Sequence, residues 1–199
     1  MALQPDLPLV EVSSRAQWRA WLDDHQNQPT GVWAVTRKRG SVRSGEEFVS
    51  ARDLNEECLC FGWIDSRPAK VDEQRSALLC TPRKTRSGWS KVNKDRLELL
   101  LAAGLVAPRG RAAIDAAKAD GSWSKLDEVD LLAEPADLVE ALAALDGART
   151  YWDAFPPSAR RGILEWIQSA KRGETRAARV AETARLAAQN VRANQWPRR

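Results

Sequence analysis

Metal ligands and reactive thiols are scarce in this sequence. It has one histidine, His25, and three cysteines, Cys58, Cys60 and Cys80. An odd number of cysteines does not fit a disulfide framework, and a zinc site with one histidine would need carboxylate ligands at unusual spacing. Cys58 and Cys60 lie in apolar runs, whereas a reactive thiolate needs an exposed, electropositive setting. We therefore predict buried free thiols, with no metal and no cofactor.

Catalytic and targeting motifs are also missing. The sequence contains no Gly-x-Ser-x-Gly, no Gly-x-x-x-x-Gly-Lys-Ser and no Gly-x-Gly-x-x-Gly, which argues against a serine hydrolase, a P-loop and a dinucleotide fold. His25 lies at a predicted helix end, where the helix dipole stabilises a cation, so capping explains it better than catalysis. No apolar run approaches the roughly 20 residues of a membrane span. Residues 1–12 lack the basic stretch of a secretory signal, so we expect a cytoplasmic protein.

Charge is distributed unevenly along the chain, whose net charge is +4. Residues 127–146 contain seven acids and no base, whereas residues 160–199 contain ten bases and three acids. Such asymmetry is typical of nucleic-acid or acidic-membrane surfaces, but it also occurs on solvated faces of arginine-rich proteins. We favour the second interpretation and keep nucleic-acid binding as an alternative.

Hydrophobic periodicity predicts a mixed N-terminal half. Ser14 begins a helix, and the β-branched run 32–36 is a strand. A capping box at Ser44 and Glu47 predicts a second helix from Phe48. Two further strands follow, and because a short turn joins them they are expected to form an antiparallel hairpin. The strands are predicted at residues 61–66 and 76–80, with 32–36 as the third member of their sheet.

Helical spacing dominates from residue 90 onward, punctuated by Pro and Gly at helix ends. The predicted fold class is therefore α+β, with a small antiparallel β-sheet and flanking helices in the N-terminal half and an all-helical C-terminal half. The predicted divisions are an N-terminal extended segment (1–12), an α+β core domain (13–125), an acidic linker (126–134), a C-terminal helical module (135–192) and a basic tail (193–199).

The best candidate for a ligand site combines residues 61–66 with residues 81–93. The first stretch indicates a strand that ends at an aspartate, and the second indicates a cationic loop followed by a helix N-terminus. Such a terminus attracts phosphate, sulfate or carboxylate, and nearby arginines add bidentate contacts. Tryptophans would stack a ring, and an asparagine in the first turn would orient a ligand. The candidate residues are Trp63, Asp65, Arg67, Arg83, Lys84, Arg86, Ser87, Trp89, Ser90 and Asn93.

Other interpretations of these residues remain open. In a purely structural one, Trp63 and Trp89 are core residues, Asp65 pairs with Arg83, and Ser87 or Ser90 is only a helix cap. In a third, Asp65 is the acid/base of an enzyme, which requires a desolvated carboxyl in a cleft. A second basic site at the C-terminal helices would serve anion or non-specific nucleic-acid binding. Its residues are Lys171, Arg172, Thr175, Arg176 and Arg179.

Several sequence blocks together resemble the YdeI/OmpD-associated (bacteriocin-protection) family. They are Trp18-x-x-Trp21-Leu22, Gly31-Val32-Trp33, Phe61-Gly62-Trp63-Ile64-Asp65-Ser66, Thr81-Pro82-Arg83, Ser87-Gly88-Trp89-Ser90-Lys91-Val92-Asn93, Gly121-Ser122-Trp123 and Ala170-Lys171-Arg172-Gly173-Glu174-Thr175-Arg176. Leu79 and Cys80 depart from the more polar or aromatic strand end expected there. The resemblance implies a bacterial protein linked to stress or antimicrobial-peptide tolerance, and it implies no catalytic mechanism. We predict a small cytoplasmic binding protein for an anionic, aromatic or peptide-like ligand.

Overall fold

The computed structural model describes residues 3–4 and 6–194, so the end of the predicted basic tail lies outside the described residues. The chain divides into two compact units, an N-terminal unit up to Ser124 and a C-terminal unit from Lys125. The α+β class is confirmed, because the sheet lies in the N-terminal unit and the described C-terminal unit contains helices only.

A four-stranded sheet in the order β1-β2-β4-β3 organises the N-terminal unit. Strands β2 (Val32–Arg37), β3 (Trp63–Lys70) and β4 (Arg75–Pro82) pair antiparallel, which confirms the predicted hairpin and its third member. Strand β1 (Leu9–Glu11) lies in the stretch expected to be an extended segment and pairs parallel to β2. The sheet is therefore mixed rather than purely antiparallel. The sequence did not predict β1, because a strand of three residues is too short to show an alternating pattern.

Both faces of the sheet are covered. On one face, Val32 and Ala34 enter the main core of the N-terminal unit. On the other, Trp33 and Val35 form a smaller cluster, against which Leu7 packs. This double burial explains why β2 is almost continuously apolar rather than alternating.

Helices α1 (Arg15–Asp24), α2 (Ala51–Cys60), α3 (Lys91–Ala102) and α4 (Pro108–Ala119) contribute to the main core, on the face of the sheet that carries Val32 and Ala34. The predicted start of α1 is confirmed, because Ser14 Oγ accepts the Gln17 N–H. Two glycines allow close packing near the end of α2. Gly62 adopts φ +71° where α2 turns into β3, and a Cβ at Gly110 would lie 2.2 Å from the Cys60 carbonyl oxygen. Helix α4 can therefore approach the end of α2 closely.

The predicted start of the second helix is wrong. Helix α2 begins at Ala51, and its capping box is formed by Ser50 and Asp53 rather than by Ser44 and Glu47. Phe48 lies outside the helix, with the Arg39 guanidinium carbon 4.1 Å from its ring centroid. Both serines have an acid three residues later, so the local pattern alone did not distinguish the two starts.

The C-terminal unit contains helices α5 (Asp127–Asp130), α6 (Ala136–Ala143), α7 (Ala148–Ala154), α8 (Pro157–Gln168) and α9 (Gly173–Ala187). Their apolar faces share one core that includes Leu138, Trp152 and Ile163. The stretch expected to be an acidic linker contains α5, whose Val129 is buried in that core. Among the described residues, no helix has both the length and the apolar character of a membrane span.

Candidate anion site in the N-terminal unit

Trp63 lies in the core. Its side chain is fully buried and packs edge-on against Trp21, with ring centroids 5.8 Å apart. Its Nε1 is buried without a hydrogen-bond partner among the described residues. A ligand ring therefore has no access to Trp63 in this conformation, which matches the structural interpretation of this residue.

Asp65 and Asn93 belong to one polar cluster, and Asn55 joins them. The Asn55 side-chain amide donates to Asp65 Oδ1 at 2.5 Å and to Asn93 Oδ1 at 3.3 Å. Arg96 Nη1 in turn donates to Asn55 Oδ1 at 2.5 Å. The sequence analysis did not select Asn55 or Arg96. Asn55 could have been noticed, because it is a polar residue on the buried side of α2. The cluster ties α2, β3 and α3 together, while Ser90 caps α3 by accepting the Asn93 N–H.

Arg67 belongs to neither the polar cluster nor the cationic loop. The register of β3 against β4 shifts between Asp65 and Pro68. Ser66, Arg67 and Pro68 are exposed at this bulge. Bulges and edge prolines are common devices that keep an edge strand from pairing with another chain.

The loop at residues 83–89, which we call the cationic loop, is built on a stacked pair. The Arg83 guanidinium carbon lies 3.5 Å from the Trp89 ring centroid. Arg83 Nη1 donates to Ser87 Oγ at 3.3 Å and to the Gly88 carbonyl oxygen at 3.2 Å. Arg83 Nε is buried and has no hydrogen-bond partner in the described part of the chain. The loop therefore holds a guanidinium against an aromatic face but leaves one donor unused.

Burial lowers the pKa of Arg83 to about 10, and the nearby charge of Asp65 opposes that shift. The guanidinium is still protonated at neutral pH. No carboxylate of the described residues comes within the 4.0 Å of an ion pair with Arg83. The direct Asp65–Arg83 salt bridge of the structural interpretation is absent, because Asp65 accepts from Asn55 instead. Arg83 is thus a largely buried cation without a counterion at contact distance.

A cavity of about 70 Å³ lies between the cationic loop and the C-terminal end of α4. We call it the anion cavity. Lys84 and Arg86 are exposed at its wall, and Arg86 has φ +60°. One carboxylate, Asp120, also lines it and accepts the Ser122 N–H at 2.9 Å. That Ser122 hydrogen bonding lowers the pKa of Asp120. The residues that line the cavity are Arg83, Lys84, Thr85, Arg86, Ser87, Trp89, Ala113, Ala116, Ala117, Asp120 and Ser122.

The Trp89 ring is enclosed by neighbouring side chains. Arg83 covers one side, and the Trp123 ring lies 5.2 Å away with an interplanar angle of 44°. Only 1% of Trp89 is exposed. A ligand ring would have to displace Arg83 or Trp123 in order to stack on it.

The residues that were predicted to form a second basic site have two different environments in the structure. Arg176 forms a two-pronged contact with Asp137 at 2.7 and 2.9 Å. Arg179 donates to the Trp166 carbonyl oxygen and to Ser169 Oγ at the end of α8. These two arginines therefore join helices within the C-terminal unit. The remaining members are exposed at the start of α9, namely Lys171, Arg172 and Thr175.

The three thiols are buried and free, as predicted. Burial raises the pKa of Cys58, so that thiol stays protonated at neutral pH. Within the described ranges, no group of three or more His, Cys, Asp or Glu side chains has an arrangement suited to a metal ion.

Two family models match separate parts of the chain. Residues 10–113 match the model described as "Domain of unknown function (DUF8412)", and residues 132–190 match the model described as "Bacteriocin-protection, YdeI or OmpD-Associated". Comparison with curated proteins and with solved structures returned no match. The predicted YdeI/OmpD-associated assignment is confirmed by the second match, whereas most of the N-terminal blocks quoted for it lie within the first. The chain belongs to the DUF8412 family, whose model matches more than half of it, and residues 132–190 of its C-terminal unit are similar to the bacteriocin-protection, YdeI or OmpD-associated family.

Proposed function

We propose that the N-terminal unit binds a small oxyanion, or the oxyanion group of a larger ligand, in the anion cavity. The observation that carries this proposal is the environment of the Arg83 side chain. Its guanidinium is largely buried, and among the described residues it has no ion pair and its Nε has no hydrogen-bond partner. Buried charges in proteins are normally paired, and an unsatisfied buried donor calls for a missing partner. A bound anion would supply the missing counterion of this guanidinium.

The size and charge of the cavity support a small anionic group. A volume of about 70 Å³ accommodates a few waters or one oxyanion, but it is far below the roughly 300–1,000 Å³ of pockets that enclose whole ligands. Three cations against one carboxylate leave a net positive wall. Guanidinium groups bind phosphate and carboxylate through paired N–H donors, which favours these two groups.

Calorimetric titration with inorganic phosphate and with sulfate tests the proposal. The wild type is expected to bind either ion, and Arg83→Gln is expected to weaken binding by about 100-fold, as for the loss of a charge-assisted contact of roughly 3 kcal/mol. Asp120→Asn should tighten binding about two- to threefold, since it removes the carboxylate at the cavity wall.

Arg67→Gln is the matched control, because it removes an exposed arginine of the same unit that does not line the cavity. It should leave the affinity unchanged. An equal loss in Arg67→Gln and Arg83→Gln would show diffuse attraction by net charge, and a wild type that binds neither ion would refute the proposal.

We further propose that the protein works in the cytoplasm and contributes to protection against bacteriocins. The description of the family that matches residues 132–190 supports this role. Expression in a bacteriocin-sensitive bacterium should raise survival, and fractionation should recover the protein with cytoplasmic markers. Loss of the survival gain in Arg83→Gln, with Arg67→Gln still protective, would connect protection to the anion cavity. Survival equal to that of the empty vector would count against the role.

The other two readings have less support. Non-specific nucleic-acid binding was the alternative for the basic C-terminal helices, but Arg176 and Arg179 make contacts within their own unit. The acid/base reading needs Asp65 free to exchange a proton, whereas its Oδ1 holds the Asn55 amide. We therefore base the proposal on Arg83.

A further inference from the structure

A separate cavity of about 290 Å³ lies in the N-terminal unit, where the sheet meets the start of α2. Thr36 of β2 and Ser76 of β4 are paired across the sheet and line the cavity from below. They belong to the face of the sheet that enters the main core, because side chains alternate between faces along each strand. Ser50 and Ala51 line it from the first turn of α2. We call this space the sheet-end cavity.

Three cations line the sheet-end cavity, and no carboxylate of the described residues does. Two of the cations have partners. Arg37 pairs with Glu46 at 3.3 Å, and Lys38 Nζ donates to two backbone carbonyl oxygens at 2.8 and 3.0 Å. The third cation, Arg39, is therefore the one to consider for a ligand.

The Arg39 side chain is exposed and rests on an aromatic ring. Its guanidinium carbon lies 4.1 Å from the Phe48 ring centroid. Within the described ranges, its N–H groups make no hydrogen bond and no ion pair. Because these donors lie in the plane of the guanidinium, stacking on Phe48 leaves them open to a carboxylate. Arg39 thus places an available charge beside an apolar surface.

Thr36 gives independent evidence for a ligand. It is only 8% exposed and lines the cavity. In the part of the chain that the structure describes, its hydroxyl has no hydrogen-bond partner. Buried hydroxyls are normally hydrogen-bonded, so Thr36 offers an unused donor to a group in the cavity. The N-terminus of α2 adds partial positive charge at Ser50 and Ala51.

The rest of the wall is largely apolar. Buried Leu54 and Leu78 line the cavity together with half-buried Phe48. We propose that the sheet-end cavity binds an aliphatic carboxylate, whose head group contacts Arg39 and Thr36 and whose chain lies along the apolar side chains. The volume is close to the lower end of the roughly 300–1,000 Å³ of small-molecule pockets, which favours a chain of medium length.

Octanoate and butyrate are the probes for this inference, since they share the carboxylate and differ in the chain. The wild type is expected to bind octanoate about 30-fold more tightly by calorimetric titration, because a buried methylene contributes a factor of up to roughly four. Arg39→Gln should weaken octanoate binding about tenfold, since it removes the charge that contacts the head group. Thr36→Val keeps the shape of the side chain and should weaken it about threefold.

Arg43→Gln is the matched control, because Arg43 is an exposed arginine of the same segment that does not line the cavity. It should leave the affinity for octanoate unchanged. Arg83→Gln should also leave it unchanged, which separates this cavity from the anion cavity. Far-UV circular dichroism of each variant confirms that it is folded.

Three results would overturn the inference. The first is a wild type that binds octanoate no more tightly than butyrate. The second is a folded Arg39→Gln that keeps the octanoate affinity, or loses no more of it than Arg43→Gln does. The third is a loss in Arg83→Gln at least as large as that in Arg39→Gln, which would place the carboxylate in the anion cavity instead.

Discussion

Three ion-paired arginines of the C-terminal unit have surroundings that differ from those of Arg83 in the cationic loop. In the C-terminal unit, these three arginines pair with carboxylates of the same unit. In the cationic loop of the N-terminal unit, Arg83 is more deeply buried than these and lacks such a partner. The C-terminal pairs are Arg149 with Glu134 and Asp153, Arg161 with Asp130 and Glu165, and Arg176 with Asp137.

This difference shows how little a count of charges reveals about binding. The acid-rich stretch 127–146 and the base-rich stretch 160–199 are conspicuous in the sequence, yet several of their charges neutralise one another inside one unit. Arg83 lies in a short basic loop, and the loop's composition does not show which of its charges is paired. A charge is available to a ligand when the fold leaves it unpaired, and that depends on neighbours rather than on local composition.

The largest expected effect on stability concerns Glu57, a carboxylate of the N-terminal unit that pairs with arginines as the carboxylates of the C-terminal unit do. The Glu57 side chain is 4% exposed and contacts both Arg15 and Arg19. Glu57→Gln should lower the free energy of unfolding by about 3 kcal/mol, because two arginines lose the charge of the buried carboxylate that both of them contact. Urea unfolding followed by tryptophan fluorescence measures this. A loss no larger than that of exposed Glu98→Gln would contradict the buried-pair interpretation.

A somewhat smaller loss is expected for Asp130, whose side chain is 7% exposed and pairs with Arg161 at 2.7 Å. Asp130→Asn should lower the free energy of unfolding by about 2 kcal/mol, since Arg161 is partly solvated and recovers some hydration. Thermal unfolding by circular dichroism provides the measurement. Exposed Asp146→Asn is the control and should change stability by less than about 0.5 kcal/mol.

Arg83→Gln should change stability differently from Glu57→Gln and Asp130→Asn. Removing a desolvated guanidinium that has no counterion is expected to stabilise the protein, whereas losing its stacking on Trp89 is expected to destabilise it modestly. The net free energy of unfolding should therefore stay unchanged or rise by up to about 1 kcal/mol. The same urea titration, carried out without phosphate, measures this. Destabilisation comparable to that of Glu57→Gln would mean that Arg83 is a structural residue, and the comparison between the two units would fail.

The smallest effect is a pH dependence at Asp137. Hydrogen bonds from Arg176 lower the pKa of this carboxyl below its ordinary value. A lowered pKa in the folded state stabilises the protein above the unfolded-state pKa of about 4, and the contribution disappears as the pH falls through the folded-state value. Asp137→Asn should therefore be less stable than the wild type at pH 7, by less than about 1 kcal/mol for a partly exposed pair.

Unfolding by urea at several pH values between 7 and 2.5 checks the expectation for Asp137. The two stability curves should converge toward the acidic end. Curves that stay parallel through this range would show that the Arg176 contact does not shift the carboxyl.

Most secondary structure was predictable because it depends on neighbouring residues. The apolar spacing after Ser14 and the β-branched run at 32–36 specify a helix and a strand with little outside help. The errors occur where local signals were ambiguous. Two serines with an acid three residues later competed as the start of α2, and the three residues of β1 form a strand only because β2 offers its edge.

The candidate site was predictable in part for the same reason. Arg83, Lys84, Arg86, Ser87 and Trp89 meet because they are nearly contiguous, and they do line one cavity. Asn55 and Arg96 escaped prediction because they reach Asp65 and Asn93 from other helices. The far wall of the cavity likewise comes from α4 and the turn after it.

By itself, the sequence determined the division into a mixed unit and a helical unit, the burial of three free thiols, and a cationic loop that leads into a helix. The tertiary structure decided which charged side chains form ion pairs and which do not. Arg176 contacts a carboxylate 39 residues away, while Arg83 contacts an indole six residues away and, within the described part of the chain, no carboxylate at ion-pair distance. Ion pairing requires atoms within about 4 Å, and only the folded chain brings distant residues that close.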